Sequence, residues 1–452
     1  MTPVLRPRGS ATGRTARLKR RGGPEGSIIK GGTTRRGRVN VSGWRTVLRR
    51  LPGLIWFRLA VFATVALALA LVARWIGPLL PATFAPEFGQ NSVSTILQIL
   101  ASSMLVVTTF SMTAMVYAYA TAAAVGTPRA TQLLIRDRTS QNALSSFLGS
   151  FVFAIVGIAA LSTGYYSKQG RTMLYFGTLV VIVIVVVTLL SWIHHLTVFG
   201  RMSDVIDRVE AAATDAAYEF ARQPYLGGSP EIATPADVSP VAAGHAGILT
   251  GVGIAELSKT ATEFGLRIHV RLLPGAAVIL GTTLADVEGD APERAIERMR
   301  RAFRVEDHRN FEQDPRLGFV ALSEIASRAL SPATNDPGTA IEVINALQRV
   351  MTRMLTTPDE SGVDHPLVHT RRVSFGDMLE DGFRPIARDG AAFVEVGLRL
   401  QNVFAALAVL AKDRDADAVH TASELAERRA ATALTDPDDL ALIRAAASAV
   451  RS

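Results

Sequence analysis

The stretch "TLVVIVIVVVTLL", residues 178–190, contains eleven aliphatic residues and two threonines. No Asp, Glu, Lys, Arg or His occurs between Arg171 and His194. A helix at the surface of a soluble protein keeps one polar face, and this segment has none. The uncharged run around it, Thr172 to Ile193, is also longer than the ~20 residues that cross a hydrocarbon core. It therefore reads as a membrane span, roughly Leu174 to Phe199, and the rest of the chain is organised around it. Working outward, three further runs qualify: Leu54 to Ile76, Val93 to Val125 and Ala143 to Gly164.

The charge distribution orients these spans. The chain has 452 residues, 48% hydrophobic content and a net charge of +8. The first 50 residues carry fourteen Lys/Arg against a single acid, Glu25. This basic arm (1–50) reads as disordered. Its roles are to keep the N-terminus inside and to attract anionic lipid. Nucleic acid is not an expected partner, because no aromatic residues interleave with the charges. The loop 77–92 lacks Lys and Arg and is placed outside, whereas 127–142 carries Arg129, Arg136 and Arg138 and is placed inside. Four spans over 51–200 then leave both termini in the cytoplasm of a bacterium, with the inner membrane as the location. No Cys is present, which excludes disulfides and thiolate metal sites.

The second span differs in chemistry from the last. It contains Ser102, Ser103, Thr108, Thr109, Ser111 and Thr113. Such hydroxyls either allow close helix packing or line a wet path in a homo-oligomer. No acid sits deep in any span, which argues against a proton-relay pump. At the boundaries, Arg136, Asp137 and Arg138 form an interfacial anchor with an ion pair, or a gate or headgroup site. His194 and His195 close the last span. Adjacent positions do not face one ligand on a helix, so no metal is expected there.

Beyond the spans, residues 202–223 continue as a helix with Val205, Val209 and Ala213 on one face. Residues 225–247 read as a Gly/Pro/Ser linker or an ordered surface loop, closing a 201–245 segment. Residues 247–287 alternate short apolar and polar groups with Gly between them. This predicts a small β-barrel-like module over 246–290, similar to the barrel-sandwich units of lipoyl and membrane-adaptor proteins, without a modifiable Lys at its hairpin tip. The remainder, 291–452, reads as mainly helical, with helices at 293–303, 316–330 and 337–355, a strand at 369–375 and two long Ala/Leu-rich helices. The fold class is thus a four-helix membrane bundle followed by a cytoplasmic α+β region. No P-loop, GxSxG, HExxH or Rossmann fingerprint appears, so no enzyme and no cofactor is expected. His365 and His369 are four apart, but Pro366 spoils a helical ligand face.

The segment "SRALSPATNDPGTAIEVI" (327–344) joins two of these helices. Ser331-Pro332 ends the first, because the residue before Pro is pushed out of the helical region. Asp336-Pro337 starts the second as N-cap and first position. Asp314-Pro315 and Asp436-Pro437 repeat the device. Thr334 and Asn335 are surplus to a cap, and with Arg328 they leave a small-anion or nucleotide site open beside the purely structural reading.

"ALSPATNDPGTAI", with "QDPRLGFVALSEIASRAL" before it and "TPRATQLLIRDRTSQNALSSFLGSFVFAI" further upstream, resembles a bacterial family of predicted integral membrane proteins catalogued as domain of unknown function 2254. The resemblance covers about residues 50–415. It implies four spans and a cytoplasmic domain, and it transfers no catalytic residue. The expected function is a homo-oligomeric channel or pore with a cytoplasmic regulatory domain. The alternative is a membrane-anchored scaffold or sensor that binds a cytoplasmic protein.

Overall fold

The computed structural model describes residues 90–451 apart from positions 126, 136, 167, 360 and 361, together with eight helical positions between 60 and 72. The span expected at 54–76 lies mostly outside the described residues. Three described helices are long and apolar enough to cross a membrane: α1 (Gln90–Val125), α3 (Arg138–Ser162) and α4 (Lys168–Val198). A short helix, α2 (Pro128–Ile135), connects the first two. α3 packs against both α1 and α4. Small residues make this approach close: a Cβ added at Gly157 would stand 3.0 Å from the Leu97 side chain. Leu97, Phe147, Phe153, Leu174 and Trp192 form the core of the bundle. Val180, Val183, Val187 and Leu190 of α4 face outward, as an aliphatic helix in contact with lipid would present them.

The chain continues into α5 (Met202–Arg222), where Val205, Ile206, Val209, Ala213, Ala217 and Phe220 make one buried face. This face meets α8 (Pro315–Ala329) and α9 (Pro337–Thr356). Around them pack α10 (Phe375–Asp389), α11 (Val394–Leu410), α12 (Arg414–Ala433) and α13 (Pro437–Arg451). Their core is continuous with the ends of the apolar helices, since Met115, Leu134 and Phe199 share one cluster with Phe319, Leu347 and Phe404.

Residues 228–306 and 365–370 build two sheets. The strands are β1 (Gly228–Pro230), β2 (Ser239–Ala242), β3 (Gly247–Val252), β4 (Arg267–Val270), β5 (Ala277–Val278), β6 (Thr283–Glu288), β7 (Phe303–Glu306) and β8 (His365–Thr370). The larger sheet has the order β1-β8-β4-β6-β2, with β8 parallel to both neighbours and the other pairs antiparallel. The smaller is β5-β3-β7, antiparallel throughout. Helices α6 (Ile254–Phe264) and α7 (Glu293–Arg300) accompany them, over a core that includes Leu257, Ile268, Val287, Met299 and Val368.

Several expectations are revised here. The barrel-like closure over 246–290 is not found; the strands pair as two open sheets that draw on residues before and after that range. Within it, residues 254–264 are helical because Ile254, Leu257 and Ala261 fall on one face, and Gly265 ends the helix at φ +66°. The 225–247 linker contains β1 and β2. The helix expected to 303 stops at Arg300, and Phe303 begins a strand. The strand expected at 369–375 lies earlier, as β8, and carries both His365 and His369. Helix α10 was hidden by Gly376, Gly382 and Pro385, residues that disfavour helix interiors. It forms because Phe375, Met378, Leu379, Phe383 and Ile386 bury one stripe.

Candidate functional site at the polar end of the apolar helices

The structure gathers polar groups where α1, α3 and α4 end. Asp137 caps α3, accepting from the Ser140 amide at 2.7 Å and from its hydroxyl. The same carboxylate lies 3.0 Å from His195 Nε2 and accepts from Arg208 Nη1 at 3.0 Å. Arg208 Nε donates to Asp204 Oδ1 at 2.9 Å, and Asp204 Oδ2 accepts from the Gly200 amide at 3.1 Å. The Arg208 guanidinium also stands 5.3 Å from the Phe199 ring centroid, a favourable cation–π placement. Asp137 is buried, and burial alone would raise its carboxyl. The hydrogen bonds from Ser140 and Arg208, with His195 nearby, hold it below the ordinary carboxylate range.

Ser140, His195 and Asp137 do not form a hydrolytic triad. That arrangement needs the acid on one imidazole nitrogen and the serine on the other. Here Nε2 faces both Asp137 at 3.0 Å and Ser140 at 3.5 Å, and the serine hydroxyl is already given to the acid. The cluster ties α3, α4 and α5 together electrostatically. From it a chain of contacts enters the bundle: His195 stacks near Trp192 at 5.6 Å, and Trp192 Nε1 donates to Ser111 Oγ at 2.9 Å.

Asp137 and His195 are thus brought together from the boundary residues expected to matter. Arg138 and His194 point outward, and Arg136 lies outside the described residues. Arg129, in α2, pairs with Glu324 of α8. Sequence reading missed Ser140, Asp204, Arg208 and Glu324. The i,i+4 spacing of Asp204 and Arg208 was a usable signal. Nothing local marks Arg208 as the partner of a residue 71 positions earlier.

The hydroxyls of α1 separate into two groups. Ser111 is 1% exposed and serves packing through Trp192. Ser102, Ser103, Thr109 and Thr113 face away from the bundle, with Thr108 partly covered at the side. Ser102, Thr109 and Thr113 donate back to carbonyls of their own helix, at 3.1, 2.9 and 3.0 Å.

The corner 328–337 is an exposed joint. Ser331 Oγ donates to the Arg328 carbonyl at 2.7 Å and the Asp336 amide donates to the Ala329 carbonyl at 2.8 Å. Asp336 caps α9, accepting from the Thr339 amide at 3.0 Å and from its hydroxyl at 2.6 Å. Asn335 takes φ +50°, which Asn tolerates better than most residues. Pro332 and Thr334 are exposed, and Pro337 occupies the first turn of α9. These bonds engage the Ser331 hydroxyl and the Asp336 carboxylate locally.

The fold and this polar end define a membrane protein: three helices fit to cross a bilayer, joined by a partly buried charge cluster to a region of helices and two sheets. The chain belongs to the family described as "Predicted membrane protein (DUF2254)", which matches residues 53–406. It is similar to an uncharacterized protein of Mycobacterium bovis and to one of Mycobacterium tuberculosis, each 27% identical over 346 residues, covering 71% of this chain. The chain spans 64% of the length of these relatives. No solved structure matches.

Proposed function

We propose that the chain assembles as a homo-oligomer around a water-filled path lined by α1, as a channel or pore without enzymatic activity. In this reading it crosses the bacterial cytoplasmic membrane four times with both termini inside, and the region after residue 200 regulates it. One observation carries the proposal. Ser102, Thr109 and Thr113 are spaced seven and four apart, so they share one stripe of α1, and that stripe points away from its own bundle. The outward face of α1 mixes these hydroxyls with exposed Leu105, Val106 and Val116, whereas the outward face of α4 carries no hydroxyl between Val180 and Val187. Subunits arranged with the α1 stripe inward would give those hydroxyls water.

The test is reconstitution of the full chain in liposomes. Ion flux above that of empty vesicles is expected, and Thr109→Leu combined with Thr113→Leu should reduce it several-fold. Absence of flux across voltage, tension and pH would overturn the proposal.

A second reading, a membrane-anchored scaffold for a cytoplasmic protein, is favoured by Ile279 and Leu280. They are 71% and 72% exposed at the tip between β5 and β6, an apolar pair suited to contact. Stoichiometric co-purification of one partner, lost on Ile279→Asp, would favour it.

A further inference from the structure

A cleft of about 690 Å³ opens between α8, α10 and α12. Val320, Ser323, Glu324 and Ser327 face it from one stripe of α8, at spacings of three, one and three. Glu380, Asp381, Arg384 and Arg388 face it from α10, and Arg429 enters from α12.

Each acid of the cleft has a basic partner. Glu324 Oε1 pairs with Arg129, while its buried Oε2 has no hydrogen-bond partner. Asp381 holds a two-point contact with Arg316 at 2.6 and 3.0 Å. Glu380 is 3.3 Å from Arg384, and Arg388 binds the neighbouring Asp389 through two bonds of 2.6 and 2.9 Å. Arg429 differs. Its Nη1 donates to the backbone carbonyl of Arg384 at 2.6 Å, and no ion pair to it occurs among the described residues. That bond brings its guanidinium to the Arg384 segment; burial presses the Arg429 pKa below its ordinary value, the positive charges of Arg384 and Arg388 add to this, and Asp389 opposes it. The second observation is independent of charge. Ser323 is 2% exposed, lines the cleft, and its hydroxyl has no hydrogen-bond partner. Buried hydroxyls are rarely left so.

We propose that this cleft binds a phosphate group, with the Arg429 guanidinium as its principal cationic ligand, Arg384 and Arg388 turning to it from Glu380 and Asp389, and the Ser323 hydroxyl as a further donor. Guanidinium forks match the oxygen spacing of phosphate. A multiply charged anion also uses three cations better than a carboxylate does. The group belongs to a soluble phosphorylated compound or to a lipid headgroup. Its chemistry is the same in both, and the cleft is tied through Glu324 to Arg129 in the connector between α1 and α3. The inference is independent of whether the chain conducts.

The test uses the full chain in neutral detergent, titrated with pyrophosphate by calorimetry. Saturable binding is expected, weakened at least tenfold by Arg429→Gln and less by Arg429→Lys. Ser323→Ala should weaken binding severalfold without lowering the thermal midpoint of the unliganded protein, a result that a merely structural serine would not give. Arg298→Gln, which removes an equal charge from an exposed pair with Glu263, should leave binding unchanged. In a second arm the protein is placed in nanodiscs of phosphatidylcholine or phosphatidylglycerol. Phosphatidylglycerol that stabilises the wild type more than Arg429→Gln, with no pyrophosphate binding, identifies a headgroup as the source. Equal behaviour of wild type and Arg429→Gln in both arms overturns the proposal, as does equal weakening by Arg298→Gln.

Discussion

Asp137 performs two tasks that substitution can separate. It caps α3 through the Ser140 amide, and it pairs with Arg208 and contacts His195. Asn caps nearly as well as Asp, so Asp137→Asn keeps the first task and loses the second. Removing one partner of a largely buried ion pair costs on the order of 3 kcal/mol, and Asp137→Ala should add about 1 kcal/mol for the cap. Unfolding of both variants in detergent, followed by tryptophan fluorescence, measures the difference. A second residue sets a pH response. His269 is buried and stacked on His369, with ring centroids 5.4 Å apart. Burial lowers its pKa, the His369 and Arg267 charges add to this, and Glu288 opposes it. The native state therefore prefers neutral His269, while the unfolded chain protonates near the ordinary value of about 6.5. Below that pH the unfolded state holds more protons and stability falls. The thermal midpoint should drop between about pH 7.5 and 5.5, values that bracket the ordinary histidine pKa, and His269→Gln should shrink the drop. The importance of Asp137 and His195 was visible in sequence only as two separate boundary features. Their meeting depends on helix packing, which spacing within either segment does not encode.

At the scale of elements, the crossing of α5 and α8 is set by one missing methyl group. A Cβ on Gly318 would lie 2.3 Å from the Ala213 Cβ, so the two helices touch backbone to backbone. Gly318→Ala is expected to destabilise by about 2 kcal/mol through overpacking. Ala213→Gly in the same chain should restore part of the loss, which a double-mutant cycle reads directly. Helix starts were the most legible elements. Asp314, Asp336 and Asp436 each accept from an amide in the turn that follows, at 3.2, 3.0 and 2.9 Å, because a cap is a local device within four residues. Strands were less legible. β1, β2 and β7 are three or four residues long and take their neighbours from distant sequence. Gly382, one of the residues that obscured α10, has a packing reason: a Cβ there would stand 3.1 Å from Leu347.

For the whole molecule, the long apolar runs were the strongest signal, since span length and composition are properties of single segments. The way α5 carries a continuous core from the apolar helices to the rest of the chain needed coordinates. The four-span proposal places the carboxyl terminus on the cytoplasmic side. A cysteine added after residue 452 should therefore stay unlabelled by an impermeant maleimide on intact cells and become labelled after permeabilisation. The absence of native Cys makes the background clean.

The larger sheet receives its inner strand late. β8 lies between β1 and β4, yet residues 271–364 separate β4 from it along the chain. At ~5–20 residues per second of translation, β4 emerges roughly 5 to 20 s before the strand that covers its edge. During that interval the nascent polypeptide carries an unpaired ladder beside a membrane insertion site, and open edges recruit other strands. Ribosome stalling before residue 365 should therefore yield aggregated or degraded product, while stalling well beyond residue 370 should not.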